Sequence, residues 1–220
     1  MKKMMLTVAL FVATFSAVEA QKINLGKAVS AASKGAQALA FSNEDAKKLS
    51  KESVEWMDKH NPVTDSKSAY TKRLNRLFGK HKSEDGLDLN YKVYHVVDIN
   101  AFACADGSVR VFSSLMDLMT DDELLAIIGH EIGHVKNEDT KDAIKSAYLR
   151  AAAQDAAGAA SGVVRALSDS ELGEMANAML DAKHSKKQES QADEYAYNFM
   201  KKHGYNVVAV YTAFKKMALL

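Results

Sequence analysis

Two histidines four residues apart enclose a glutamate in the run His130-Glu131-Ile132-Gly133-His134. On an α-helix, residues i and i+4 stand one above the other on a single face. Both imidazoles can then reach one divalent ion about 2 Å from each ring nitrogen. Glu131 stands about 100° further round the helix, where its carboxylate can meet a water on that ion without being a ligand. This arrangement permits metal-assisted hydrolysis, in which the ion acidifies the water and the carboxylate accepts its proton.

The element that must carry these groups is well marked. Thr120-Asp121-Asp122-Glu123 is a capping box, so the helix is expected to start at Asp121. Between Leu124 and Val135 the one charged side chain is Glu131. Leu124, Leu125, Ile127, Ile128, Ile132 and Val135 form a broad apolar face, with His130 and His134 beside it. Ala126, Gly129 and Gly133 form a strip of small residues that invites a neighbouring backbone. A helix with no solvated face is a core element, and buried carboxylates are costly unless paired or near a metal.

Two histidines leave the ion short of a ligand. Thr140 occupies the position, six residues after His134, where a third histidine would complete one known pattern. Glu138 is eight residues from His130, about 12 Å along the axis, too far to share the ion. Glu171 and Glu174 point away from the apolar face Leu172, Met175, Ala176 and Met179 of their own helix. Glu189 and Asp193, by contrast, share a face with Ala192, Ala196, Phe199 and Met200. Two acids on a burying face need a cation or strong hydrogen bonds. Glu189 is therefore assigned as the third ligand, with Asp193 supporting a ligand histidine through its other ring nitrogen. A buried salt bridge to lysine or arginine is the alternative.

The chain has 220 residues, 47% of them hydrophobic, enough for one domain with a sizeable core. Its net charge of +1 makes no case for nucleic acid. One cysteine excludes an intramolecular disulfide framework and a thiolate zinc site. Residues 1–20 read as a secretory signal: Lys2 and Lys3, an apolar run from Leu6 to Phe15, and Val18-Glu19-Ala20 before cleavage at Gln21. The mature chain is thereby expected in the periplasm or outside the cell.

Residues 21–80 predict an N-terminal helical segment packed on a core of residues 81–220. Its helices are expected over 27–41, from Ser42 to Asn61-Pro62, and over 65–78. Residues 81–88 read as a loop and 91–99 as a strand. Residues 100–105 and 108–113 read as a hairpin around Asp106-Gly107. Asn100, Ala101, Phe102 and Ala103 are the candidate open edge on which a peptide could add as a strand, against a plain structural hairpin. Cys104 reads as a small buried hydrophobe. Residues 143–167, with Gly158 and Gly162, suggest a helical arm that could act as a lid. His60, His81, His95, His184 and His203 read as structural.

Four motifs in order carry a resemblance. They are Asn100-Ala101-Phe102-Ala103, Val111-Phe112-Ser113-Ser114-Leu115, Asp122-Glu123-Leu124 leading into the HExxH run, and Glu189-Ser190-Gln191-Ala192-Asp193. The set resembles the M48 family of zinc metallopeptidases over roughly residues 90–205. The resemblance implies one Zn2+ per chain on His130, His134 and Glu189, with Glu131 as general base and Asp193 in support. It implies a mostly helical α+β gluzincin core, minigluzincin-like, with a small antiparallel sheet and a central HExxH helix. It also implies endopeptidase action on proteins or peptides, often in envelope protein quality control. The likeness is greatest to soluble or lipid-anchored periplasmic members, which leaves room for peripheral association with the envelope membrane or its proteins. Where the family often has arginine three residues before the third ligand, this chain has Lys186. A non-catalytic zinc-binding or chaperone-like envelope protein is the alternative reading.

Overall fold

A hydroxyl side chain followed three residues on by an acid or amide starts four of the helices. Both halves of the capping box are formed at Ser42/Asp45, Thr120/Glu123, Ser168/Glu171 and Ser185/Gln188. Each box satisfies donors that the first turn leaves unpaired. The computed structural model describes residues 41–154 and 167–219. The signal segment 1–20, the helix expected over 27–41 and the lid glycines Gly158 and Gly162 lie outside the described residues.

In chain order, α1 is Asn43–His60, α2 Ala69–Phe78, β1 Ser83–Glu84, β2 Leu87–Asp88, β3 Asn90–Tyr94, β4 Ala101–Ala103 and β5 Ser108–Phe112. They are followed by α3 Ser113–Leu118, α4 Asp121–Lys136, α5 Asp139–Gln154, α6 Asp169–Leu180, α7 Lys186–Lys202 and α8 Val208–Met217. The α+β class and the central helix are as expected. Helix α2 starts later than residue 65 because the Asp65 carboxylate accepts from the backbone N–H of Lys67 and Ser68, closing a turn first. Among the described residues, no helix is long and apolar enough to cross a membrane.

The three-stranded sheet has the order β3-β5-β4. The expected hairpin is present: β4 pairs antiparallel with β5, Phe102 opposite Arg110. Gly107 closes it at φ +85°, where an added Cβ would sit 1.8 Å from the Asp88 carbonyl. Strand β3 joins β5 in parallel, so the sheet is mixed. It stops at Tyr94 instead of running to residue 99. There His95 N–H turns to the Pro62 carbonyl, Val96 N–H folds back to that of Tyr94, and Val97 is 90% exposed. The loop expected over 81–88 contains a small hairpin, β1 with β2. Its turn residues Asp85 and Gly86 both have positive φ, the conformation of the tight hairpin turn that Asp-Gly favours.

Helix α4 lies at the centre and is buried on every side, as its lack of a solvated face predicts. Its apolar face packs with Leu115, Met116 and the inner residues of β3 and β5. Its glycine strip meets α7. A Cβ on Gly133 would stand 3.1 Å from the Ala192 Cα, and one on Gly129 would stand 3.0 Å from the Phe199 ring. Helix α8, which sequence reasoning did not resolve, packs on α4 through Ala209 and Ala213. Helix α1 joins the structure through two further apolar clusters. One includes Leu49, Ile144, Tyr148 and Met175, and the other Val54, Met57, Tyr94, Phe102 and Phe112.

An ion pair ties α1 to the sheet. Arg110, 2% exposed, donates from Nε and Nη2 to the two oxygens of Asp58 at 2.8 and 2.9 Å. Tyr94 Oη and Lys92 Nζ donate to the same carboxylate, each at 2.7 Å. Burial alone would raise the Asp58 pKa, but Arg110, Lys92 and Tyr94 outweigh it and hold the carboxyl low. Asp58→Ala leaves a buried guanidinium without its partner. It is expected to lower stability by about 3 kcal/mol, read as a drop in the urea midpoint at unchanged slope.

Glu123 gives a pH-dependent counterpart at the start of α4. It accepts from Lys216 Nζ at 2.6 Å and from the backbone N–H of Thr120 at 3.0 Å. Burial opposes ionisation, but these donors win and hold the carboxyl at about 2 against an ordinary 4.5. A depressed folded pKa contributes stability above the unfolded value and loses it as pH falls through the folded one. Glu123→Gln should therefore cost roughly 2 kcal/mol at pH 7. The gap from the parent chain should close between pH 4.5 and about 2 in denaturation curves.

Candidate metal centre

One turn of α4 separates His130 from His134, and both side chains are buried. Their Nε2 atoms lie 3.0 Å apart. The Glu189 carboxylate reaches the same point from α7, with Oε2 3.5 Å from His130 Nε2 and Oε1 3.9 Å from His134 Nε2. Two imidazole nitrogens and a carboxylate oxygen converging in this way form a donor set for a borderline dication such as zinc.

The opposite ring nitrogens are held. His130 Nδ1 lies 3.0 Å from Asp193 Oδ1, the support expected for a ligand histidine. His134 Nδ1 lies 2.9 Å from Asp139 Oδ2. Each carboxylate takes the Nδ1–H and leaves the Nε2 lone pair aimed at the shared point. Burial, then the neighbouring His134, keep the His130 imidazole below its ordinary pKa range and so neutral, the form that binds metal.

The face of α7 explains this placement only in part. Ala192, Ala196, Phe199 and Met200 are buried as expected, but the Glu189 and Asp193 side chains are 48% and 55% exposed. Both stand at the margin of the packed face, and Glu189 borders a cavity of about 250 Å³. Its walls include Asn100 to Ala103, with His130, Glu131, His134 and Glu189 beside Met179, Leu180 and His184. Burial pushes the Glu131 carboxyl up to about 8, with the Glu189 charge adding to the shift. A carboxyl whose pKa lies near the working pH suits taking up a proton and giving it back, and a dication beside it would favour the ionised, accepting form.

Strand β4, Ala101–Ala103, lies at one edge of the three-stranded sheet, with Asn100 just before it. Phe112 N–H donates to the Asn100 carbonyl and Cys104 N–H to that of Ser108, so alternate residues of β4 face β5. By the alternation of an antiparallel ladder, the backbones of Ala101 and Ala103 turn to the open side. The Ala101 N–H is engaged by the Asn100 side chain at 2.8 Å. Cys104 is buried in the cluster behind the strand, and burial pushes its thiol well above the ordinary range.

Sequence reasoning missed two residues of this site. Asp139 begins α5 immediately after Glu138, whose φ of 63° reverses the chain and brings Asp139 back to His134. Gln188 Nε2 donates to its other oxygen at 2.9 Å. The available signal was the acid five residues after His134, following a helix break. His184, read as structural, instead stacks on His134 with centroids 3.9 Å apart and lines the cavity. It sits in the short connection before α7, where periodicity says nothing about direction. Glu138, excluded on distance, is bonded elsewhere by Asn43 Nδ2.

Comparison with known proteins agrees with this geometry. The model of peptidase family M48 matches residues 71–219. The chain is 37% identical over 199 residues to the metalloprotease YcaL of Escherichia coli strain K12, covering 90% of this chain and 78% of that protein. It is 36% identical over 221 residues to the metalloprotease LoiP of the same strain, covering 100% of this chain and 87% of that one. A shorter match, 43% over 51 residues and 21% of this chain, links it to the protease HtpX of Actinobacillus pleuropneumoniae. With the matched model spanning more than half its length, the chain belongs to peptidase family M48 and is a metallopeptidase.

Proposed function

We propose that the protein is a zinc-dependent endopeptidase of the bacterial envelope, acting on proteins or peptides that bind along β4. The observation that carries the reading is the meeting of His130, His134 and Glu189 at one point beside Glu131 and an open strand edge. The donor set fits zinc, and His130 Nε2, His134 Nε2 and a Glu189 oxygen would hold it. When bound, zinc supplies a Lewis acid that acidifies a water and polarises the scissile carbonyl. The chain's own groups do the rest. Ala101 and Ala103 offer backbone groups to an extended substrate strand. Glu131 accepts the proton of the attacking water on a carboxylate oxygen and passes it to the departing amide nitrogen. Asp193 and Asp139 keep both imidazoles in the required tautomer throughout.

Placement in the periplasm rests on the signal-like residues 1–20, and a part in envelope protein quality control rests on the family resemblance. Mass spectrometry of the chain recovered from a periplasmic fraction should find Gln21 at its N-terminus. Recovery in the cytoplasm with residues 1–20 attached would remove the placement.

Glu131→Gln is expected to keep the metal and lose about a thousandfold in peptide hydrolysis, read on a quenched peptide with elemental analysis alongside. Full activity in that variant would end the mechanism. Asp139→Ala should weaken metal binding about 10- to 100-fold, measured by chelator competition, because His134 loses the partner that fixes its ring. An unchanged affinity would reduce Asp139 to a packing role.

A further inference from the structure

A second set of ligating atoms lies at the far end of α7, about 14 residues and 21 Å along the helix from Glu189. His81 precedes β1, Glu84 ends that strand, and His203 caps α7. One ligand atom from each falls within 4.8 Å of the others. His81 Nδ1 is 2.6 Å and His203 Nε2 is 3.0 Å from the same oxygen, Glu84 Oε1. The His203 nitrogen is shut off from solvent and lacks the alignment of a hydrogen bond. His81 and Glu84 are almost wholly buried.

The surroundings complete the argument. Tyr205 Oη meets His81 Nε2 at 2.7 Å, fixing the ring from behind as second partners of metal-bound histidines do. Lys202 Nζ takes the other oxygen, Glu84 Oε2, at 3.1 Å, leaving Oε1 to face the imidazoles. Lys202 is itself paired with Asp85 at 3.0 Å.

We propose that His81, Glu84 and His203 form a second, structural site for a borderline dication of the zinc type, which fastens the β1–β2 hairpin to the end of α7. Two imidazoles and one carboxylate match the ligand preferences of zinc. An ion there gives both nitrogens and Oε1 a common partner.

The test uses the full chain, stripped with chelator, reloaded with Zn2+ and desalted. Elemental analysis should find two zinc ions per chain in the parent and one in His203→Asn, a variant that leaves the α4 ligands untouched. A single ion in both overturns the proposal. The double variant His130→Ala/His134→Ala isolates the second site. Its melting temperature should rise by about 5 °C or more at a hundredfold excess of Zn2+ over Kd, and adding His203→Asn should abolish the rise. A double variant that ignores Zn2+ overturns the proposal. So does a parent chain whose stability gap from His203→Asn is the same with and without metal, because the cluster is then held by hydrogen bonds alone. Should the double variant fail to fold, the two stoichiometries decide.

Discussion

The close approach of α4 and α7 is the constraint on which the rest depends. Gly129 and Gly133 remove the side chains that would otherwise hold the helices apart, and Ala192 and Ala196 answer them from α7. Dense packing of this kind has little room to relax. It fixes the azimuth of α7 as well as its distance. Glu189 and Asp193, one turn apart on its margin, are thereby delivered to the histidines, Glu189 towards both Nε2 atoms and Asp193 to His130 Nδ1. A loosely packed helix pair would place the same four residues together only some of the time, and a ligand set held within a fraction of an ångström needs more than that.

The charges around this contact form a consistent set. Each histidine is buried and backed by a carboxylate on Nδ1, which leaves its Nε2 facing the shared point. Burial and the nearby Glu189 charge both disfavour ionisation of Glu131, and its raised carboxyl registers the two together. A dication resolves the conflict for Glu189 and Glu131 at once. Further out, Asp58 with Arg110 and Glu123 with Lys216 pair each buried charge with an opposite one. Those pairs anchor the helices around the site and take no part in its chemistry.

Much of this was legible in the sequence because it is local. The capping box at Thr120 and Glu123 marks the first residue of α4, and the absence of charge between Leu124 and Val135 marks its burial. The Asp106-Gly107 turn marks the hairpin, and the periodicity of α7 singles out Glu189 over Glu171 and Glu174. What escaped depends on where the chain goes between elements. The positive φ at Glu138 sends Asp139 back to His134, a reversal no spacing rule contains. His184 owes its place to the angle of a short connection. The parallel pairing of β3 with β5, and the packing of α8 on α4, come from long-range topology. The short hairpin over residues 83–88 was hidden because a polar six-residue segment leaves almost no apolar alternation to detect.

The proposed ligands are divided between two helices far apart in the chain, and this would give the enzyme a built-in order of events. The nascent polypeptide presents His130, Glu131 and His134 well before Glu189 and Asp193 emerge. Until α7 has docked, the histidines have no third donor and one of them has no orienting acid, so the chain cannot bind its ion tightly or hydrolyse a neighbour. Proteolytic competence therefore requires α7 to be docked on α4. A molecule that misfolds or loosens at the glycine contact switches itself off before it can damage the cell that made it.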